Sequence, residues 1–466
     1  MTAVELVVYA LLLAVAAAFV WKRPVVALYL FVVGLAVHNA AMAALYAAGV
    51  RGSTLTAIAA WKEILLVVAL ARVVEQALRD RALPFRPGVV DALALAYGLL
   101  VVVYALIPQS ALGGTAGHHA VALAVKHDLV PVGAFFLGRS LRLGRADLRR
   151  LAWTVGGTAG FVAAIGIVDV YAVPIGWWRT NAVVDYFHKQ LGYDYHGTGG
   201  LPENFIYNTG SEDHFLRRLV STFLSPLASG YLMVVALLVL PFRRRVSVTL
   251  MALAFAGLLF TFSRSSLVAL AGGLVVLALA ARDWRPLALA AVVAGVTVGW
   301  AHVFPKIGPI GHWTKADLVQ QRRHAHQSGP ASGNALSESE PSLHEHWTAL
   351  KDGARTVVHH PQGFGLGNVG QTASRTGTPI KAGESNYTEM AAELGILGAL
   401  LWIAWSLAVL VGLWRARSVR MTASFAAILA LAIQTDVIGD PWIAYVVWAL
   451  AGACLQVRLA VEQSRA

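Results

Sequence analysis

The sequence holds one cysteine, Cys454, in 466 residues. That excludes a disulfide framework and a thiolate metal cluster. Charge is scarce too: 13% of residues are Asp, Glu, Lys or Arg, against about 25% in a soluble domain. No H-E-x-x-H is present, and His344-Glu345-His346 and His359-His360 lack zinc-helix spacing, so no metal ligand set is expected. The apolar N-terminal run lacks a basic flank, which fits a first membrane span better than a cleaved signal. No internal repeat is visible.

Apolar residues dominate what is there: 57% of the chain is hydrophobic. The expectation is an all-α, polytopic helical membrane protein forming a single integral membrane domain over 1–466, with about 12–13 spans. These fall near 3–21, 24–49, 54–76, 87–107, 117–138, 150–173, 217–240, 246–263, 265–281, 285–303, 389–413, 421–437 and 441–459. The last break rests on Asp436, Gly439, Asp440 and Pro441.

Loop charges set the orientation. Lys22-Arg23, the arginines at 72–86, those at 139–150, Arg243-Arg244-Arg245, Arg282 and Arg285, the arginines at 415–420 and Arg458 all fall in alternate loops. Those loops are expected on the cytoplasmic side, in contact with anionic lipid. They account for the net charge of +12 without a nucleic-acid partner.

Two long segments then lie outside, at 174–216 and 304–388. Connections of such length are usually functional or disordered. The first carries Trp177-Trp178-Arg179 and Tyr193-Asp194-Tyr195-His196, which suit sugar stacking and hydroxyl binding, or equally interfacial anchoring. The second includes a Ser-, Gly-, His- and Glu-rich stretch from Gln321 to Pro341, with the composition of a flexible segment.

Ionisable residues inside spans gather in the outer half. Lys62-Glu63 stand roughly 12 Å into a span that starts outside at Thr54, and Lys126-His127-Asp128 lie at similar depth. Asp169 is near an outer span end. Arg217-Arg218 begin one span, and Arg264 ends another. Charge within a bilayer is costly and faces a partner or a polar cavity. The functional reading is one outward cavity in which Lys62, Lys126, Arg217, Arg218 and Arg264 hold phosphate, a task that suits arginine's planar fork. The bland reading is local neutralisation, with Arg264 snorkelling.

Two signals carry less. Gly365-Leu366-Gly367-Asn368-Val369-Gly370 matches G-x-G-x-x-G but follows no strand of a βαβ unit, so it reads as a tight turn, one that could also bring backbone close to a glycan. Ser263, Ser265 and Ser266 lack His and Asp partners and suit helix packing.

Three stretches together resemble the O-antigen ligase/polymerase superfamily of membrane glycosyltransferases. Arg218-Leu219-Val220-Ser221-Thr222-Phe223-Leu224-Ser225-Pro226 is similar to its arginine and Ser/Asn-Pro span start. Thr261-Phe262-Ser263-Arg264 is similar to its T-x-S-R span end. His360-Pro361-Gln362-Gly363-Phe364-Gly365, followed by Tyr387 and Glu393-Leu394-Gly395-Ile396-Leu397-Gly398, resembles its P-x-x-G-x-G turn and E-x-G-x-x-G span start. The resemblance covers roughly 215–410.

It implies a GT-C-like, inverting and metal-independent transferase at the bacterial inner membrane, with no cofactor. A glycan on undecaprenyl diphosphate would pass to an acceptor hydroxyl, of lipid A core or another glycan, on the periplasmic side. Arg217 or Arg218 and Arg264 become diphosphate ligands; Gly365, Gly367 and Tyr387 belong to the substrate loop. Family ligases place a histidine before the Asn-x-Tyr-like element. Here the place falls to Glu384, a carboxylate that can serve as base if its pKa is raised, with His344 and His346 as alternatives. A polymerase of the same superfamily is the second reading, and a polysaccharide or lipid transporter the third.

Overall fold

The computed structural model describes residues 3–193, 201, 204–209, 211–241, 245–328, 341–383 and 385–463. The first part of the chain is α1 (Ala3–Lys22), α2 (Val25–Ala47), α3 (Gly52–Ala59), α4 (Trp61–Asp80), α5 (Val89–Leu106), α6 (His118–Ser140) and α7 (Arg145–Ala172). Next come the short helices α8 (Ile175–Thr180) and α9 (Val183–Asp185), a π-turn over Tyr186–Gln190, and strands β1 (Ile206–Tyr207) and β2 (His214–Arg217). Then follow α10 (Pro226–Val239), α11 (Arg245–Thr261), α12 (Arg264–Ala281), α13 (Arg285–Ile307), β3 (Ile310–His312), α14 (Lys315–Ser328), α15 (Pro341–His359) and α16 (Gly370–Thr376). The chain closes with α17 (Asn386–Arg415), α18 (Val419–Leu431), a π-turn over Ile443–Val447 and α19 (Trp448–Gln463).

The architecture is an all-α polytopic membrane protein. Among the described residues seven helices, α2, α5, α6, α7, α12, α13 and α17, are long and apolar enough to cross a membrane. Shorter apolar helices cover the expected spans at α1, α10, α11, α18 and Ile443–Gln456. Side chains such as Val67, Leu99, Val268 and Leu279 stand more than half exposed on the helices, as lipid contact requires.

Local chemistry fixes the helix ends. Ser225 caps α10, its Oγ accepting from Ala228 N at 3.3 Å, and Pro226 follows at the first helical position, where it lacks only an N–H that would go unpaired. Between helices, small residues set the closest crossing. A Cβ on Gly138 of α6 would strike the Ala449 carbonyl oxygen of α19, and one on Gly452 of α19 would strike Phe135 O. Such small-residue contacts let two backbones touch. Beside them Trp405 stacks on Trp448 at 4.2 Å, and Trp402 meets Tyr97 of α5 at 5.2 Å. This buried aromatic cluster binds α5, α6, α17 and α19 together.

Two expectations need correction. The run near 54–76 is two helices, not one, broken at Ala60. The run near 217–240 does not begin as helix: Arg217 ends β2, Ser221–Phe223 make a 3-10 turn, and α10 starts at Pro226.

The long segments fold onto the bundle and onto each other. β1, β2 and β3 form an antiparallel sheet in which Phe215 pairs with Gly311 and Leu216 with Ile310. It joins the segment before α10 to the one after α13. Trp178, Tyr186, Phe205 and Phe215 form an apolar core with Tyr46, Leu55 and Ile58 at one end of α2 and α3. The Arg179–Asp317 ion pair, at 2.7 Å and with Asp317 buried, ties α8 to α14.

Candidate functional site

The site is built where α11 turns into α12. The last carbonyls of a helix have no partner within it. Here two are met from the strand segment: Leu219 N donates to Phe260 O at 2.9 Å, and Arg218 Nε to Thr261 O at 2.9 Å. Phe262 turns the chain at φ 48°, and Ser263 caps α12, accepting from Ser266 N. Arg264 is therefore the first residue of α12, at the end where helix dipoles favour anions.

Arg218 and Arg264, far apart in sequence, thus stand close enough for their like charges to act on each other. Burial and the Arg264 charge lower the Arg218 pKa to about 10, so it remains a cation at neutral pH. Its Nε is engaged by Thr261; the two terminal nitrogens form a planar fork, a geometry suited to paired phosphate oxygens. Tyr207 and Tyr231 flank it.

Tyr231 leads from the arginines to a second group. Its hydroxyl feels Arg218 on one side and Thr435, Asp436 and Asp440 on the other. Asp436 is held hard. Its Oδ1 accepts from Asn386 Nδ2 at 2.6 Å and Gly439 N at 3.0 Å; its Oδ2 faces His127 Nε2 at 2.9 Å. The other ring nitrogen of His127 faces Asp128 Oδ1 at 2.8 Å. With a carboxyl oxygen at each nitrogen, the ring bridges Asp128 and Asp436. It is a clamp between α6 and the loop after α18, not a free base. Asp440 Oδ1 accepts from Ile443 N at 3.0 Å. Burial pushes the Asp440 carboxyl up to about 6, against the lowering effect of hydrogen bonds from the Ile443 and Trp442 N–H groups.

The remaining expected site residues distribute as follows. Arg217 points the other way from its neighbour. It donates to the Val170 and Val173 carbonyls at 3.2 and 2.5 Å and pairs with Asp169 at 3.4 Å. Asp169 also accepts from Trp178 Nε1 at 2.8 Å. Arg217, Asp169 and Trp178 thus close the C-terminal end of α7. Of the tryptophan pair, only Trp177 is exposed.

Lys62 and Lys126 are not with the arginines; they share Glu63, at 3.4 and 3.5 Å. Of the five cations expected in one cavity, Arg217 pairs with Asp169 and the lysines with Glu63, whereas Arg218 and Arg264 act on each other. Gly365 and Gly367 are buried against protein: a Cβ on Gly365 would strike Gln109, and one on Gly367 would meet Ala120. Their turn docks on α17 where Gly395 breaks the helix at φ 70°. Phe364 N donates to Ala392 O at 2.7 Å, Gly365 N to Glu393 O at 3.0 Å, and Gly367 N to the Glu393 side chain at 2.8 Å.

Tyr387 donates to Leu429 O at 2.9 Å, fixing α17 to α18. His344 is exposed and His346 half-buried, both on α15. Glu384, Asp194, Tyr195 and His196 lie outside the described residues.

Sequence reasoning missed Tyr231, Arg375 and the partners of Asp436. Its one usable signal was two aspartates, Asp436 and Asp440, inside an otherwise apolar stretch.

The fold and this arrangement define a class: a multi-pass membrane protein with an arginine pair beside a buried carboxylate loop. Residues 249–403, about a third of the chain, match the family model described as O-antigen ligase. The match supports the O-antigen ligase/polymerase superfamily, whose members are glycosyltransferase-like enzymes working on lipid-linked glycans and acceptors. It contains Arg264, the glycine turn and the Glu393–Gly395 break; Arg218 stands before it. No curated protein gives a match to this chain.

Proposed function

We propose that the protein transfers a glycan from undecaprenyl diphosphate to an acceptor hydroxyl, as an O-antigen ligase would, at the outer face of the inner membrane. The carrying observation is the Arg218–Arg264 pair at the start of α12. Two cations held near each other have a reason to stay together if a dianionic group comes between them. In this reading the diphosphate rests on both guanidinium groups. The acceptor oxygen attacks the anomeric carbon, the sugar–phosphate bond breaks, and the diphosphate leaves with the bonding pair. Negative charge grows on the leaving group, where preorganised donors stabilise the transition state most. The acceptor's proton goes to a carboxylate, Glu384 or Asp440. Asp440 suits this role because a base titrating near neutrality is the more effective one.

A polymerase would use the same arginines with a second lipid-linked glycan as acceptor. Deleting the gene and analysing lipid-linked intermediates separates the readings. Long chains left on the lipid indicate a ligase, single repeat units a polymerase. Unchanged glycans and intermediates would reject both.

A further inference from the structure

The cations displaced from the arginine site form a group of their own. Lys62 is the second residue of α4 and is 7% exposed. Its Nζ donates to Ala59 O at 2.7 Å, at the C-terminal end of α3, and pairs with one Glu63 oxygen at 3.4 Å. Lys126 of α6 pairs with the other oxygen at 3.5 Å, and its side chain is 44% exposed. Arg375 of α16 acts on Lys62 as a third positive charge. It is held by Nε donating to Leu191 O at 2.9 Å and by the Tyr193 ring at 5.5 Å. Two cations from distant helices thus share one carboxylate, and a third acts on the first of them. Lys62 is buried, so positive charge in excess of Glu63 is costly there without a counter-anion.

This group and the arginine pair are each linked to the aspartate loop through a tyrosine. Tyr193 feels Arg375 together with Asp436, His127 and Asp440; Tyr231 feels Arg218 together with Asp436 and Asp440. A transferase joining two lipid-borne substrates needs two anchors, one on each side of its reacting centre.

We propose that Lys62, Lys126 and Arg375 form a second anion site, which holds the phosphate of a phosphorylated lipid acceptor while Arg218 and Arg264 hold the donor. This rests on the donor reading above. The phosphate takes no part in bond making; it fixes where the acceptor hydroxyl lies. The chemistry is shared by two sources, a polyprenyl diphosphate and a phosphorylated acyl-glycolipid, and each has its own probe.

The test uses the full-length protein in phosphatidylcholine nanodiscs. Binding of farnesyl diphosphate and of a bisphosphorylated, acylated glucosamine disaccharide is titrated separately. One result supporting the proposal is two farnesyl diphosphates per chain, one of them lost in K126A/R375A, which makes the acceptor a polyprenyl diphosphate. The other is one farnesyl diphosphate and one disaccharide, the disaccharide weakened about tenfold or more in K126A/R375A, which makes it a glycolipid. In either case E63Q, which removes the counter-charge without removing a cation, tightens the same site. Unchanged binding of both probes in K126A/R375A overturns the proposal. So does loss of the Lys126- and Arg375-dependent binding when phosphatidylglycerol replaces phosphatidylcholine, since the site then takes any lipid headgroup. R218A/R264A that still binds every ligand would instead reject the donor reading and leave the second site standing.

Discussion

Two arginine sites, one at each end of the bundle, show how differently the same side chain can be held. Arg139, at the end of α6, is satisfied on every side. It makes a bidentate pair with Asp91 at 2.7 and 3.0 Å, and donates to Gln456 and to Arg86 O at 3.1 and 3.0 Å. Arg218, at the other end, has one backbone carbonyl and a second arginine beside it. The first arrangement neutralises itself and has nothing left to offer a ligand. The second sets two like charges side by side. Arg217 belongs with Arg139 despite adjoining Arg218, because strand geometry turns neighbouring side chains to opposite faces.

The comparison breaks first on activity. Arg218→Ala with Arg264→Ala removes the donor clamp. Transfer in cells, read as surface glycan, should fall by about a hundredfold or more, with the protein still inserted. By contrast, Arg139→Ala leaves Asp91 buried and unpaired. It should cost about 3–5 kcal/mol of stability, read as a lower unfolding midpoint in detergent, while turnover per folded molecule stays the same.

Arg217→Ala should behave like Arg139→Ala but more mildly, by about 1–3 kcal/mol, and leave donor affinity intact. Loss of donor binding without loss of stability would move Arg217 into the site. Gly395→Ala puts a side chain at φ 70° and against Pro361 O at 2.6 Å. It should lower the unfolding midpoint by the equivalent of about 1–3 kcal/mol.

The smallest effect is on pH. With the Asp440 carboxyl near about 6, transfer should rise as pH increases through that value, and Asp440→Asn should flatten the rise. Stability runs the opposite way. The neutral carboxyl favours the folded state below its usual 3.8, and this contribution fades as pH rises through about 6.

Hydropathy made the helical membrane architecture legible, because backbone in hydrocarbon must satisfy its own hydrogen bonds. The Arg218–Arg264 pairing was legible as two motifs of a resembling family, and the structure adds the reason they meet: the carbonyl ends of α11. Hydropathy could not show which way Arg217 turns, because the small sheet is set by pairing across about a hundred residues, between Phe215 and Gly311. Nor could depth separate the lysines from the arginines. Equal distance along two spans says nothing of their position around the bundle. The glycine turn looked like a ligand loop for a similar reason: its requirement for glycine comes from left-handed backbone packed against Gln109 and Ala120, contacts invisible in local sequence.

The most direct test is the rate of glycan transfer in proteoliposomes by the Arg264→Lys protein, with its unfolding midpoint measured alongside. Lysine keeps the charge and loses the planar fork. If the arginine pair grips a diphosphate, the rate should fall by about tenfold to a hundredfold at an unchanged midpoint. A rate equal to that of the unsubstituted protein would contradict the account.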